Sequence, residues 1–333
     1  MTAPGTVVIA TRGSALALAQ ANLVLARCRA AFPGLSFELR IIKTTGDKLQ
    51  TASMAQQGKE LPKGLFTKEL EAALLERQAH LAVHSLKDLP TELPAGLCLG
   101  GVCERADVRD ALIYRAADGL PGADRGFPPH LTVQGLPAGA AVATSSTRRK
   151  AQLLALRPGL KTPELRGNVL TRLRKLAERA ELDATVLALA GLARLNYTVT
   201  PQGRLEGDGV PAGLLAAILD TAVMLPCVGQ GAIGLEARQE DERSAAICQR
   251  LNHYDTLQCV SAERAFLAAM GGGCQSPVAA HAELLGSQLR LRAAWFAPGL
   301  VRRAETSGPL DQPLELGRGI AARLKAEGAH EGR

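Results

Sequence analysis

The stretch Val7-Val8-Ile9-Ala10-Thr11-Arg12-Gly13-Ser14 decides the fold class of this chain. It begins with apolar, mostly β-branched residues, which predict a short buried strand. Ser14 is a suitable N-cap for an Ala- and Leu-rich helix predicted over residues 15–31. A strand, a turn with an arginine and a helix start form a good anion site, because free backbone N–H groups and a cation converge there. On this segment alone, a solvated surface charge is an equally good interpretation of Arg12.

The same arrangement recurs further along the chain. Residues 140–143 predict a strand, and Thr144-Ser145-Ser146-Thr147-Arg148-Arg149 then opens a helix that continues to residue 156. Hydroxyl groups and free amides at a helix start suit a carboxylate or a phosphate, and arginines add bidentate contacts. Further strands are predicted to end over residues 164–168 and to run over 184–190. Strands that alternate with helices predict parallel α/β sheets.

Asp88 follows another predicted strand, over residues 81–85. Pro90 blocks any continuation of that strand, so Asp88 falls in the loop at its carboxyl end. In open α/β sheets, ligands bind at that edge. An ordinary surface ion pair with Lys87 is the alternative on this segment. His84 is interpreted as a strand residue and not as a metal ligand, because no second histidine or carboxylate has metal-ligand spacing nearby.

Six arginines share a position at a strand end or at the start of the following helix: Arg12, Arg148, Arg149, Arg166, Arg172 and Arg194. Burying six cations without counter-charge would be prohibitive, so we expect them to face water or a polyanion. Asp88 is the one carboxylate that the sequence places at the same sheet edge. Among so many arginines we expect it to stay ionised, to stabilise a developing cation on a substrate or to pass a proton.

A thiol follows three glycines in Met270-Gly271-Gly272-Gly273-Cys274-Gln275-Ser276-Pro277. Glycine has no Cβ and lets a backbone or a ligand approach closely, so this thiol is within reach of a bulky group. A glycine-rich turn with a small buried cysteine is the ordinary alternative, and this stretch alone favours it.

Composition narrows the function classes. The length of 333 residues suggests two or three domains, and 47% hydrophobic residues predict a packed globular protein. A net charge of +7 favours an anionic partner, whereas 3% aromatic residues are poor for base stacking. The seven cysteines are scattered and form no CxxC, which argues against disulfides and a thiolate zinc site and for a reducing compartment. We expect no metal site, no signal peptide and no membrane span.

Seven stretches, taken together and in this order, resemble the porphobilinogen deaminase (hydroxymethylbilane synthase) family. They cover nearly the whole chain, and the set is specific although no single stretch is. They are Ala10-Thr11-Arg12-Gly13-Ser14, Lys63-Gly64-Leu65-Phe66-Thr67-Lys68-Glu69-Leu70, Val83-His84-Ser85-Leu86-Lys87-Asp88-Leu89-Pro90, Thr144-Ser145-Ser146-Thr147-Arg148-Arg149, Leu165-Arg166-Gly167-Asn168-Val169, Val228-Gly229-Gln230-Gly231-Ala232 and Gly272-Gly273-Cys274-Gln275.

The resemblance implies an α/β protein of three domains. The first two are similar to periplasmic binding proteins, with parallel-rich sheets, helices on both faces and a cleft between them. The third is a small α+β domain that carries the cysteine on a loop facing the cleft. We assign residues 1–104 and 228–250 to domain 1, 105–227 to domain 2 and 251–333 to domain 3.

The resemblance also implies a cytoplasmic, monomeric transferase of tetrapyrrole (porphyrin and haem) biosynthesis. Such an enzyme builds a dipyrromethane cofactor from its own substrate and holds it by a thioether to a cysteine that matches Cys274. It deaminates four porphobilinogen molecules, joins them head-to-tail on the cofactor and releases hydroxymethylbilane and ammonia. No nucleic acid or membrane partner is implied.

Individual roles follow from the same resemblance. Asp88 matches the catalytic aspartate, and the six arginines match residues that bind acetate and propionate groups. Polar contacts to cofactor or substrate are matched by Ser14, Lys63, Ser85, Lys87, Thr144, Ser145, Ser146 and Gln230. Residues 43–63 are expected to form a lid. The chain departs from the family pattern in a longer stretch over 56–62 of this loop, with Gln56 where a lysine is common, in Thr147 where leucine is common, and in a longer segment over 198–225.

Two functions of other classes remain as alternatives on the sequence. One is a non-enzymatic, two-domain clamshell that binds anions and has no use for Cys274. The other is a nucleic-acid-binding protein, which only the basic net charge supports and which would bind polynucleotides with steep salt dependence.

Overall fold

The computed structural model describes residues 5–46, 66–117, 126–272, 276–297 and 299–328. Cys274 and Lys63, and most of the segment expected to be a lid, lie outside these ranges. In chain order, the helices and strands of the described residues are β1 (Thr6–Arg12), α1 (Ala15–Ala31), β2 (Ser36–Ile42), α2 (Lys68–Leu75), β3 (Leu81–Ser85), β4 (Leu97–Val102), β5 (Asp110–Arg115), β6 (Val142–Ala143), α3 (Thr147–Leu156), α4 (Val169–Glu178), β7 (Ala184–Ala188), α5 (Leu189–Arg194), β8 (Thr198–Val199), β9 (Leu205–Glu206), β10 (Leu214–Leu219), β11 (Ile233–Arg238), α6 (Glu242–Leu251), α7 (Tyr254–Ala269), β12 (Val278–Leu285), β13 (Gln288–Ala297), β14 (Leu300–Pro309) and α8 (Pro313–Ala326).

Domain 1 is built on a sheet of order β2-β1-β3-β11-β4. Strand β1 runs parallel to β2 and β3, and β11 runs antiparallel to both of its neighbours. Because side chains alternate along a strand, Val7 and Ile9 pack with α1 on one face, whereas Val8 and Ala10 pack with α2 on the other. Helices therefore cover both faces, as predicted.

Domain 2 has a sheet of order β10-β5-β7-β6, in which β5 is antiparallel to both neighbours and β6 is parallel to β7. The sequence analysis missed β5, β10 and the short helix α5. The strand predicted to end over 164–168 is absent: only an isolated bridge joins Ala141 to Lys161. Pro163 follows soon after Lys161 and has no N–H to donate, so a longer ladder cannot form there.

Domain 3 is a small α+β unit. Its antiparallel sheet has the order β12-β13-β14, and α7 and α8 bury one face of it around Phe266, Leu291 and Ile320. The small α+β unit that the resemblance implies here is confirmed. The three-domain α/β class with parallel-containing sheets is thus confirmed. None of the described helices is long and apolar enough to cross a membrane.

Two crossover segments connect domains 1 and 2, residues 103–109 on the way out and 226–232 on the way back. They lie side by side, because Cys103 N donates to Ile233 O at 3.0 Å and Ala106 N donates to Gly231 O at 3.1 Å. Gly231 has φ +86°, and a Cβ there would lie 2.5 Å from Ala106 O, so only glycine fits this approach.

One carboxylate ties both crossovers to domain 3. Glu263 on α7 is fully buried and receives two hydrogen bonds from the Arg105 guanidinium, at 2.7 and 3.0 Å. It also accepts from Gly229 N and from Ala282 N, each at 2.8 Å. Arg105 belongs to the first crossover, Gly229 to the second and Ala282 to β12. All three domains therefore meet around this side chain.

We predict that Glu263→Gln lowers the free energy of unfolding by about 3–5 kcal/mol, because Arg105 would remain buried without its counter-charge. Urea unfolding followed by circular dichroism measures the loss. Glu240→Gln is the matched control, since the Arg77–Glu240 pair is about 70% exposed on both sides and should change stability by less than about 1 kcal/mol. Equal unfolding midpoints for the two variants would contradict the structural role of Glu263.

Candidate active site

A cleft opens where the carboxyl ends of β1 and β3 meet the start of α1. We call it the Asp88 cleft. Its lining includes Arg12, Ser14, Gln20, Phe66, His84, Ser85 and Asp88. The sequence analysis placed Arg12, Ser14, Ser85 and Asp88 at this sheet edge, and the structure brings those four residues together.

The polar residues of the Asp88 cleft are held in place by local contacts. The Arg12 guanidinium lies 4.2 Å from the centre of the Phe66 ring, a cation–π distance. Ser14 caps α1, as predicted, with its Oγ accepting from Ala17 N at 3.3 Å. The Ser85 hydroxyl pairs with the Gln20 amide, at 2.8 Å from its Nε2 and 3.1 Å from its Oε1.

Asp88 itself ends a 3-10 turn, Leu86–Asp88, and not an irregular loop. Two neighbours hold this turn. Gly229 of the second crossover has φ +70°, and a Cβ on it would lie 3.2 Å from Lys87 N, so the glycine permits close packing. From domain 3, Arg264 donates to Leu89 O at 3.0 Å and to Pro90 O at 2.6 Å. The position of Asp88 therefore depends on the second crossover and on domain 3.

A second cleft lies between the three domains, and we call it the three-domain cleft. Its polar lining comprises Lys87, Ser146, Arg148, Cys227, Arg264 and Ser276. Lys87 lines this cleft and its neighbour Asp88 lines the other, so the two clefts adjoin at this dipeptide. Burial lowers the pKa of Lys87, and the Asp88 carboxylate opposes that shift.

Arg172 brings domain 2 towards Asp88. Burial and, to a smaller extent, the positive charge of Arg149 lower the pKa of Arg172, whereas the carboxylate of Asp88 opposes them, and the net result is a pKa of about 10. Its Nε donates to Gly167 O at 2.7 Å, which fixes the side chain at the start of α4. The structure thus sets a cation of domain 2 within electrostatic reach of the acid of domain 1.

The expectation that all six arginines face water or a polyanion is wrong for two of them. Arg148 and Arg149 are only 3% and 6% exposed, and they share the carboxylate of Asp110 at 2.8 and 2.7 Å. Both guanidiniums hold the pKa of Asp110 far below its usual range, although burial alone would raise it. The sequence analysis missed Asp110. The signal was the acid directly before the apolar run Ala111-Leu112-Ile113 that forms β5.

Two further nitrogens of this pair bond to backbone oxygens: Arg148 Nη1 donates to Leu225 O at 2.7 Å, and Arg149 Nη1 donates to Val186 O at 2.9 Å. The Nε atoms of both arginines are buried and have no hydrogen-bond partner among the described residues. Because Arg148 also lines the three-domain cleft, an anion there would meet an incompletely bonded guanidinium.

Gln230, expected to contact cofactor or substrate, lies instead inside the protein. Its side chain is fully buried, and its Nε2 donates to Val108 O at 2.7 Å and to Asp110 Oδ1 at 2.9 Å. Its backbone oxygen accepts from Arg105 Nε at 2.8 Å. Gln230 therefore links the crossovers to the Asp110 group and has no side-chain surface in either cleft.

The hydroxyl residues before α3 serve mainly the backbone. Thr144 Oγ1 accepts from Ser146 N at 3.2 Å, Ser145 Oγ accepts from Leu165 N at 3.1 Å, and Ser146 Oγ caps α3 by accepting from Arg149 N at 3.4 Å. Of these three, only Ser146 lines one of the two clefts.

Arg166 and Arg194 line neither of the two clefts. Arg166 is exposed and pairs with Glu164 at 3.1 Å. Arg194 is half-buried, its Nη2 donates to Gly231 O at 2.6 Å, and burial lowers its pKa. Arg194 thus contacts the second crossover.

His84 lies in strand β3, as predicted, and pairs with a distant acid. Its Nε2 lies 2.9 Å from Glu236 Oε2 on the adjacent strand β11, and both side chains are buried. The two residues are 152 positions apart, so local spacing could not reveal the pair. Within the described ranges, no group of three or more His, Cys, Asp or Glu side chains is arranged to hold a metal ion.

Two family models match this chain, the first over domains 1 and 2 and the second over domain 3. Residues 7–246 match the model "Porphobilinogen deaminase, dipyromethane cofactor binding domain", and residues 257–326 match "Porphobilinogen deaminase, C-terminal domain". The chain belongs to the porphobilinogen deaminase family. Among curated members of this family, the protein of Desulforudis audaxviator is 45% identical over 327 residues, which is 98% of this chain and 96% of the relative. That of Geobacter metallireducens is 42% identical over 331 residues, or 99% and 94%.

As a member of the porphobilinogen deaminase family, the chain is a transferase of tetrapyrrole biosynthesis. It carries a dipyrromethane cofactor and polymerises porphobilinogen to hydroxymethylbilane. Because the chain belongs to this family, its function is that of a transferase and not that of an anion-binding clamshell or a nucleic-acid-binding protein, the two alternatives left by the sequence.

The described residues fit this cofactor. A dipyrromethane built from porphobilinogen bears acetate and propionate groups, so it needs cationic donors around an elongated cleft. Lys87, Arg148 and Arg264 line the three-domain cleft, and Arg12 lines the Asp88 cleft. The buried, unpartnered Nε of Arg148 is a further donor for an anion.

We predict that Asp110→Asn destabilises the protein at neutral pH by about 3–5 kcal/mol, because two buried guanidiniums lose their counter-charge. The folded-state pKa of Asp110 is depressed, so its stabilisation is complete above the ordinary aspartate value of about 3.9 and is lost as pH falls below that value. The stability of the wild type should therefore fall more steeply than that of Asp110→Asn below about pH 4.

Thermal unfolding between pH 3 and 7 measures both effects. Glu164→Gln, which removes an exposed partner of Arg166, should follow the wild-type curve at all pH values. Parallel curves for wild type and Asp110→Asn would show that Asp110 is not the buried counter-charge.

Proposed function

We propose that Asp88 is the catalytic carboxylate of this synthase and that the cofactor, joined to Cys274, occupies the three-domain cleft while incoming porphobilinogen enters the Asp88 cleft. One observation carries this proposal: adjacent residues, Lys87 and Asp88, line the two clefts, so reacting groups held in them meet at this dipeptide. Ser276, two positions after Cys274, lines the three-domain cleft and supports attachment there.

The cofactor, when bound, supplies the pyrrole end to which each new unit is joined. The task of the protein is to hold anionic rings and to stabilise the positive charge that develops on them. Asp88 suits the second task, because a fixed carboxylate stabilises a developing cation and also moves a proton. Arg172 faces it from domain 2, so the acid of one ring can be held opposite Asp88.

Carboxylate binding is assigned to the cations that reach the clefts. Arg12, with Ser14 and Ser85 beside it, serves the Asp88 cleft, and Lys87, Arg148 and Ser146 serve the three-domain cleft. Arg149 acts through the Asp110 pair, which holds Arg148 in place. Arg166 and Arg194 bind acids of the lengthening product where it extends beyond the two clefts, and Thr144 and Ser145 shape the start of α3 for it. Lys63, three positions before Phe66 in the sequence, supplies a further cation.

Attachment of the cofactor requires a thiolate, and two cysteines compete for that role. Cys274 follows three glycines, whereas Cys227 is half-buried and lines the three-domain cleft beside Lys87. We assign the attachment to Cys274, because the family resemblance matches that position and the glycines leave room for a bulky adduct.

The remaining proposals concern organisation and setting. We propose that domain 1 comprises residues 1–104 and 228–250, domain 2 105–227 and domain 3 251–333, which agrees with the grouping of the three larger sheets. We also propose a monomer that acts in the cytoplasm without nucleic acid or a membrane. The six cysteines within the described residues are all free thiols, which suits a reducing compartment.

We predict that intact-protein mass spectrometry of the purified enzyme shows a mass excess of two linked pyrrole units on the Cys274 peptide. Cys274→Ser should show no excess after incubation with porphobilinogen, because a hydroxyl is a far weaker nucleophile than a thiolate. Cys227→Ser is the matched control and should keep the adduct. An adduct on Cys274→Ser that disappears in Cys227→Ser would move the attachment to Cys227.

We predict that Asp88→Asn folds and lowers the rate of porphobilinogen consumption on the order of a hundredfold, because the amide neither balances a cation nor accepts a proton. The rate is measured on protein whose attached cofactor has been verified by mass. Asp255→Asn, which changes an exposed acid on α7, should leave the rate unchanged. A near-normal rate for cofactor-bearing Asp88→Asn would exclude a catalytic carboxylate at this position.

A further inference from the structure

An imidazole oriented by a carboxylate lies in the wall of the Asp88 cleft. His84 Nε2 and Glu236 Oε2 are 2.9 Å apart, and the side chains are 3% and 0% exposed. His84 nevertheless contributes to the lining of the cleft together with Ser85 and Asp88. Glu236 engages the Nε2 side of the ring, and no hydrogen bond from the described residues engages Nδ1. One ring nitrogen is thus fixed by Glu236, and the other makes no hydrogen bond within the described residues.

The strand register produces this pair. His84 on β3 is directly opposite Gly234 on β11, and Glu236 lies two residues further along the same strand. Side chains two apart share a face of the sheet, so Glu236 is a diagonal neighbour of His84. Gly234 contributes no side chain between them, so the ring can reach the carboxylate.

A second carboxylate lies close to the pair. Glu71 on α2 is 7% exposed, and burial raises its pKa, with the charge of Glu236 adding to the rise and Thr67 and His84 opposing it. Oε1 of Glu236 is buried and has no hydrogen-bond partner among the described residues. Two buried carboxylates beside one imidazole cannot all be ionised at low cost, so the group holds an exchangeable proton.

Two acids interact with His84, Glu236 on β11 and Glu71 on α2. Other charged and titratable groups on the surrounding elements are Lys68 on α2, Cys98 on β4, Arg12 on β1, and Lys87 and Asp88 in the 3-10 turn.

We propose that His84, oriented by Glu236, is a second acid–base residue of this synthase, acting at Nδ1 in the Asp88 cleft. The proposal rests on the assignment of that cleft to incoming porphobilinogen. An imidazole whose far nitrogen is held by a carboxylate is well arranged to take up a proton, because the carboxylate fixes the ring and stabilises the imidazolium.

The reaction needs such a group for one proton in each cycle. A carbon–carbon bond forms between the terminal pyrrole α-carbon and the aminomethyl carbon of porphobilinogen, and the carbon–nitrogen bond of that aminomethyl group breaks. The nitrogen arrives as ammonium, and cleavage of the carbon–nitrogen bond gives neutral ammonia and a cationic ring. After the carbon–carbon bond has formed, the α-carbon loses one proton. His84 accepts this proton and releases it to the solvent, where ammonia takes it up, so each cycle converts one ammonium group of the substrate into one free ammonium ion, and Asp88 is left to stabilise the cationic ring.

The test compares His84→Gln and Glu236→Gln in the cofactor-bearing enzyme, with kcat measured between about pH 5.5 and 9. For His84→Gln we expect kcat to fall on the order of a hundredfold and one ionisation to vanish from the range where imidazole titrates, about pH 5–8. For Glu236→Gln we expect that ionisation to persist at lower pH, because an imidazolium without its anionic partner loses its proton more easily. His281→Gln, which removes a buried imidazole of domain 3, should leave the profile unchanged.

A structural role would affect KM, folding or cofactor assembly but would leave the ionisation in place. A wild-type pH profile for His84→Gln therefore overturns the proposal, whatever the absolute rate. If His84→Gln does not fold, Glu236→Gln decides: an unshifted profile overturns the proposal and a shift to lower pH supports it. Failure of the proposed function is distinguishable, because wild-type protein would then carry no adduct and consume no porphobilinogen.

Discussion

The buried carboxylate of Glu263 is the constraint on which the arrangement of the three domains depends. It accepts from Arg105 and from Gly229, one on each crossover, and from Ala282 in the third sheet. Removing a charge from water costs free energy, and the four hydrogen bonds that Glu263 accepts offset this cost. Because the same crossover packs against Lys87 of the Asp88 turn, the geometry of the clefts follows from this contact.

A second buried charge group continues from the first. Gln230 accepts from Arg105 through its backbone and donates to Asp110 through its side chain, and Asp110 holds two arginines of domain 2. The arginines expected to bind carboxylates are therefore of two kinds. Some, such as Arg148 and Arg149, are neutralised by a buried carboxylate, whereas others, such as Arg12, line a cleft. This division limits the repulsion among cations before any ligand is bound.

Local patterns in the sequence predicted what depends on near neighbours. Helix α1 begins and ends where the pattern placed it, Ser14 caps it, and Asp88 lies at the carboxyl end of β3. The sequence did not predict Asp110 as a counter-charge or Glu236 as the partner of His84. Both relations join distant parts of the chain, across 38 and 152 positions, and spacing along a chain says nothing about such pairs. Strand β5 was not predicted from the sequence either, because its apolar run lies between a crossover and a loop.

The main sheets of domains 1 and 2 each contain one strand that is antiparallel to the others, β11 in domain 1 and β5 in domain 2. Each is the strand by which the chain arrives from the other domain. The connections therefore enter through the middle of both sheets and lie side by side, joined by Cys103–Ile233 and Ala106–Gly231 hydrogen bonds. Two connections that are hydrogen-bonded to each other restrict the relative movement of domains 1 and 2 more than a single linker would, because neither can move without the other.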